Sequence, residues 1–190
     1  MGSMKASVRR LYVRRAGEKS WDRRVKAVED IWRTIRAQVQ ALKLDYSRVR
    51  LYQDGLPNCG HEPEIVKGLA QSGSQNHQLL QELMEKGATV MGTESPELLL
   101  EEYQLARKTL GTLGASQPDG QERLQRERSL LILEKRDRYI AERISQTLKP
   151  GETGVLFLGM LHSLDGLLPQ EVEVTCLGQI PRPPQRTRVV

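Results

Sequence analysis

An apolar run of Val155, Leu156, Phe157 and Leu158 sits between Gly154 and a turn reading Gly159, Met160, Leu161, His162, with Asp165 and Gly166 beyond it. A run without polar alternation suits a strand covered on both faces, as in a mostly parallel sheet flanked by helices. Ligands of such sheets collect beyond the carboxyl ends of the strands, and His162 stands at that end. The feature predicts an α/β fold and a pocket, and leaves open what is bound or converted there.

With 190 residues, the chain is long enough for one domain with a sizeable core and short for two. The expected domain spans residues 7–179. Residues 1–6 read as an expression remnant and a disordered start, and residues 180–190, rich in Pro and Arg, as a disordered tail. Charged residues reach 28% against 38% hydrophobic, which fits a globular protein with long amphipathic helices. The two cysteines, Cys59 and Cys176, form neither a ligand nor a redox pattern, so a reduced, cytoplasmic setting is expected. No apolar stretch reaches the roughly 18 residues needed to span a bilayer, and no membrane association is expected.

The net charge of +5 favours anionic partners, but Lys and Arg are interleaved with Asp and Glu. Arg9, Arg10, Arg14, Arg15, Arg23 and Arg24 are dense near the N-terminus. Glu18, Asp22, Glu29 and Asp30 dilute them, and an aromatic share of 4% leaves few rings for base stacking. Nucleic-acid binding therefore ranks last among the functions considered.

Strands are predicted at residues 8–13, 48–54, 88–91, 155–158 and 171–176, the last by its alternation. Long helical segments separate most of them, which predicts a four- to five-stranded mixed, mainly parallel sheet covered by helices. The first long helix carries Trp21, Val25, Val28, Ile31, Trp32, Ile35, Val39 and Leu42 as one stripe, read as core with a homodimer seam as the alternative. Ser95, Pro96 and Glu97 form a helix start with cap, preset first-turn residue and dipole partner. The segment 111–120 reads as a flexible crossover, and the last long helix is expected to turn Leu124, Leu131, Ile140, Ile144 and Leu148 to one face.

Three strands end in polar, glycine-containing turns: Asp54 with Gly55, Gly92 with Thr93 and Glu94, and Gly159 with His162. If they run parallel, Asp54, Glu94 and His162 converge at one edge and are the candidate catalytic and metal-ligating residues. Two carboxylates and an imidazole suit Mn or Zn, or a general base acting on water. His61, in the loop that starts at the same strand end as Asp54, is a weaker candidate ligand. No Walker loop and no Gly-x-Gly-x-x-Gly occurs, so no nucleotide cofactor is expected. Arg136 on the last helix is a candidate ligand-binding residue, with a solvated charged face as the alternative.

The stretch Arg136, Asp137, Arg138, Tyr139, Ile140, followed by Gly159-x-x-His162, Gly166 and the segment 171–174, resembles the C-terminal part of the TraB, ChaN and Tiki-like superfamily over about forty residues. The resemblance implies a pocket in which His162 is a site histidine and Arg136 and Gly159 lie beside the ligand. It groups the chain with metal-dependent proteases, macrolide esterases and a haem-binding branch. The second Gly-x-x-His common in that superfamily is replaced by Tyr52, Gln53, Asp54 and Gly55. The combined expectation is a hydrolase-like protein acting on a small molecule or peptide, dependent on a divalent metal. The alternative is a non-catalytic sensor or interaction domain taking a small anionic ligand.

Overall fold

The computed structural model describes residues 9, 10, 12–112 and 119–177. Among them the order is α1 (Glu18–Ala41), a short 3-10 turn (Tyr46–Arg48), β1 (Val49–Gln53), α2 (Glu62–Gln71), α3 (Gln75–Glu85), β2 (Thr89–Met91), α4 (Pro96–Thr112), α5 (Asp119–Thr147) and β3 (Thr153–Phe157). The fold is α/β and mostly helical. The three strands form one parallel sheet in the order β2-β1-β3, with Leu51 paired to Val90 on one side and to Val155 on the other.

Two of the five expected strands are replaced by other structure. Residues 9, 10 and 12–16 are helical; residues 8 and 11 lie outside the described residues. This first segment closes on itself. Gly17, at φ 80, accepts the turn, and Tyr12 folds back to hydrogen-bond Ser20 at 3.2 Å and to pack its ring 5.7 Å from that of Trp21. Residues 171–176 are irregular, with Val172 donating to Pro169 in a turn and Val174 62% exposed. Among the described residues their alternation has no neighbouring strand to complete a ladder, so the pattern alone does not make a strand. The expected disordered start, tail and crossover centre on residues outside the described ones.

The described residues up to Lys43, joined by Cys176 and Leu177, form one compact unit, and the described residues of 44–175 form another. In the first unit the expected core stripe of α1 is covered only in part. Val39 is buried, Trp21, Trp32 and Ile35 are half-buried, and Val25, Val28, Ile31 and Leu42 are exposed. No helix among the described residues is long and apolar enough to cross a membrane.

In the second unit the centre of the sheet is β1, whose Val49, Leu51, Tyr52 and Gln53 are all buried. That is the run covered on both faces. β3, expected to be such a run, is an edge strand with Thr153 and Gly154 exposed and Val155 and Phe157 buried. Side chains alternate along a strand, so Tyr52 and Asp54 share one face. Tyr52 packs there with Ile140 and Ile144 of α5, and Leu156, Leu158 and Leu148 close in around them. The buried positions of α5 are Ile132, Arg136, Asp137, Ile140, Ala141 and Ile144, a stripe at three- and four-residue spacing. Leu124 and Leu131, expected on that face, are exposed. The inward stripe therefore carries two charged residues one turn before Ile140, above the carboxyl ends of the strands.

At the opposite end of the sheet, Arg50 of β1 grips Glu152, just before β3, through two hydrogen bonds of 2.9 and 2.6 Å. These bonds and the Lys149 amide hold the Glu152 carboxyl down at about 2. A depressed carboxyl pKa contributes stability above its ordinary value, and that contribution is lost as pH falls towards the folded value. Glu152→Gln should lower the urea midpoint near neutral pH, and its deficit should close as the pH falls from about 5 to about 2. Urea unfolding of both proteins across that range checks it.

Candidate functional site

The parallel ladder continues past the strands and sets the site backbone. Asp54 N–H donates to the Phe157 carbonyl at 2.9 Å, and the Thr93 and Glu94 amides both donate to Leu56 O at 3.0 Å. Pro57 and Glu94 form one further parallel bridge, with Asn58 N–H donating to Glu94 O. The loop after β1 thus runs beside the turn after β2. Two glycines permit the close approach. A Cβ on Gly92 would lie 2.4 Å from Asn58 Cα, and one on Gly159 would lie 2.6 Å from Asp54 Oδ2.

Asp54, Glu94 and His162 meet at this rim, each offering a ligand atom within 4.8 Å of the others. Arg136 binds two of them. Its Nη2 donates to Asp54 Oδ1 at 2.7 Å and to Glu94 Oε1 at 2.6 Å, its Nε reaches both Glu94 oxygens, and its Nη1 donates to Glu102 at 2.7 Å. Gly159 N–H donates to Asp54 Oδ2 at 3.1 Å, and Gly55 N–H to Glu94 Oε1 at 3.3 Å. The neighbouring Arg138 pairs on the surface with Glu134 at 2.6 Å, so the solvated-face reading holds for that arginine and not for Arg136. His61 is exposed at the N-cap of α2, outside the convergent group among the described residues.

Two contributors were not foreseen. Asp137 stands 2.5 Å from His162 Nδ1, and its second oxygen accepts the Ser163 amide at 3.2 Å. Glu102, half-exposed on α4, closes the third side of Arg136. Asp137 had a readable signal, because it lies three residues before Ile140 on a stripe that must face inward. Glu102 had none, since its role depends on how α4 pairs with α5.

The imidazole has a carboxylate at each nitrogen, with Nε2 3.4 Å from Asp54 Oδ1. Burial opposes charge on His162, but Asp54 and Asp137 outweigh it and raise its pKa above the ordinary value. Burial also works against the Asp54 carboxylate, yet His162 and then Arg136 pull its pKa down. For Glu94 burial wins over Arg136, and its pKa is raised. Arg136 is held more firmly protonated by Glu94, Glu102 and Asp54 despite its burial. Four carboxyl groups, those of Asp54, Glu94, Glu102 and Asp137, face one guanidinium and one imidazole, which leaves the cluster rich in negative charge.

No protein-family model matches the chain, and no match is found among curated proteins or solved structures.

Removing one partner of a buried ion cluster leaves the others uncompensated in a medium that solvates them poorly. The Arg136 side chain is 5% exposed and that of Glu94 0%. Arg136→Met should therefore cost roughly 3–5 kcal/mol in urea unfolding, and adding Glu94→Gln should recover part of the loss. No recovery would mean that the cost comes from Arg136 packing and not from the stranded carboxylate.

Proposed function

We propose that the protein is hydrolase-like and that Asp54, Glu94 and His162 hold a divalent cation, Mn or Zn, at the rim of the sheet. The observation that carries this reading is the convergence of those three side chains within 4.8 Å, in a cluster with more carboxylates than cations. The donor set fits, since oxygen and imidazole nitrogen suit these metals. When bound, such a cation supplies Lewis acidity and lowers the pKa of a water towards neutrality.

The chain's own residues have distinct parts in this scheme. Asp137 accepts the Nδ1 proton of His162, which fixes the ring and turns Nε2 towards Asp54, the arrangement that second-sphere carboxylates give to ligating histidines. Asp54, with its side chain 23% exposed, is the most open carboxylate facing Arg136 after Glu102 and the one best placed to address solvent and substrate. Arg136 keeps Glu94 oriented and, through its Nη2, spans Glu94 and Asp54. The resemblance to the TraB, ChaN and Tiki-like superfamily supports the same assignment of Arg136, Gly159 and His162, with a small molecule or peptide as substrate. An anionic-ligand sensor is favoured less, because an incoming anion would meet Arg136 donors already directed at Glu94, Asp54 and Glu102.

Titration of tag-free protein with MnCl2 or ZnCl2 by calorimetry should show one equivalent bound and a raised melting temperature, and His162→Ala and Asp54→Asn should abolish both effects. A proton on Nε2 competes with a cation, so affinity should strengthen as pH rises through the raised pKa of His162. The same titration removes stability from the metal-free protein, because a raised histidine pKa stabilises the fold below it and the gain is lost above it. Loaded protein should cleave activated esters or fluorogenic peptides, and His162→Ala should not. Absence of binding at millimolar metal, or binding unchanged by His162→Ala, would overturn the reading.

A further inference from the structure

We infer that the free edge of β3 is a docking surface for an extended, basic peptide segment of another protein, which adds to the sheet as a fourth strand. In the order β2-β1-β3 the strand has β1 on one side only. A parallel ladder takes the N–H and C=O of alternate residues, and the bond from the Asp54 amide to the Phe157 carbonyl shows that Thr153, Val155 and Phe157 direct theirs to β1. Gly154 and Leu156 therefore present theirs outward. Among the described residues neither of these two backbones has a hydrogen-bond partner, and Gly154 is exposed. An unpaired row of donors and acceptors is a template for another strand, so edges are normally blunted by a lysine, a proline or a bulge. β3 reads Thr153, Gly154, Val155, Leu156, Phe157 in unbroken register and carries none of these. β2, at the other edge, has three residues and its middle one, Val90, is buried, so it offers no comparable row.

The end of β3 identifies the occupant. A strand laid along this edge runs on to the turn that holds Gly159 and His162, where the carboxyl groups of Asp54, Glu94, Glu102 and Asp137 outnumber the cations Arg136 and His162. That field favours Lys or Arg in the partner and disfavours Asp, Glu and phosphate. The same turn, closed by the His162 amide donating to the Gly159 carbonyl at 3.1 Å, leaves Met160 71% and Leu161 80% exposed, an apolar tip for a neighbouring side chain of the partner. Main-chain hydrogen bonds supply affinity in this mode of recognition, and the side chains supply selectivity. A second copy of β3 does not fit, because the strand carries no charge. The chain's own alternating segment at 171–176 is not the missing strand either. Val172 turns back onto Pro169, and among the described residues no backbone hydrogen bond joins the segment to β3.

The probe is an acetylated and amidated heptapeptide alternating lysine with valine, added to the full chain in EDTA. Amide hydrogen exchange read by NMR should be fast at Gly154 and Leu156 without peptide and roughly tenfold slower at about ten times the dissociation constant, with Val155 and Phe157 protected throughout. Leu156→Pro removes one outward donor and spares the ladder to β1, and should weaken binding roughly tenfold. The same heptapeptide N-methylated at every backbone amide should not bind, which tests the edge bonds in the unaltered chain even if the variant loses structure. Replacing its lysines by glutamate should also abolish binding. No binding at about 1 mM peptide, binding that leaves Gly154 and Leu156 unprotected, equal binding of the N-methylated or glutamate peptide, or protection of both amides before any peptide is added would each overturn the inference. Metal is absent throughout, so these outcomes and those of the metal titration stand apart.

Discussion

The guanidinium of Arg136 ties α5 and α4 to the strand ends that the parallel ladder already brings together. It leaves α5 and reaches the residue after β1, the turn after β2 and the side of α4 through hydrogen bonds of 2.6 to 3.2 Å. Only a planar group with five fixed donors can address Asp54, Glu94 and Glu102 in different directions at once. An ammonium at that place would be a point charge with three donors and could not lie along the Glu94 carboxylate while also reaching Asp54. The backbone ladder sets the strand ends, and this one side chain orients the carboxylates of Asp54 and Glu94 that stand on them.

A cluster so rich in carboxylates has a consequence for what can bind. Each buried carboxylate raises the cost of ionising its neighbours, and Glu94, with its pKa already pushed up by burial, stands closest to giving up its charge. His162 responds the other way and holds its proton more tightly. A raised pKa on His162 offsets part of that excess charge, and under the proposed metal binding a cation would compete with the proton for the same electrostatic field. The carboxylate count is what raises the affinity of that ring for a proton, whatever reaction the site performs.

Much of this was legible in the sequence because local chemistry and global placement agreed. The strand at 49–53 and the short one at 89–91 stood out by residue type, Ser95 and Pro96 marked a helix start that the Leu98 amide confirms by donating to Ser95 Oγ at 3.2 Å, and glycines flagged the turns where backbones approach. The convergence of Asp54, Glu94 and His162 followed from parallel strands ending together. What misled was pattern without a partner. The alternation at 171–176 describes a strand only if another strand lies alongside, and residues 12–16 contain β-branched and aromatic types yet coil into a helix whose Tyr12 packs on Trp21. Neither neighbour can be read from the segment itself.

The two helical stripes show why spacing must be read together with what it has to cover. On α5 the inward face is interrupted by Arg136 and Asp137, and a strict count of apolar residues shifts the stripe onto Leu124 and Leu131, which are exposed. Continuing the line back from Ile140 and Ile144 through the charged pair to Ile132 restores the observed face, and the interruption is itself the mark of the site. On α1 the apolar count is unbroken, yet only part of the stripe is covered, so spacing alone does not say which positions are buried. An apolar stripe with charged residues inside it belongs to a helix that serves a buried polar site. On α1 the stripe is covered at Val39, where the side chain is buried, and left open at Val25, Val28 and Leu42.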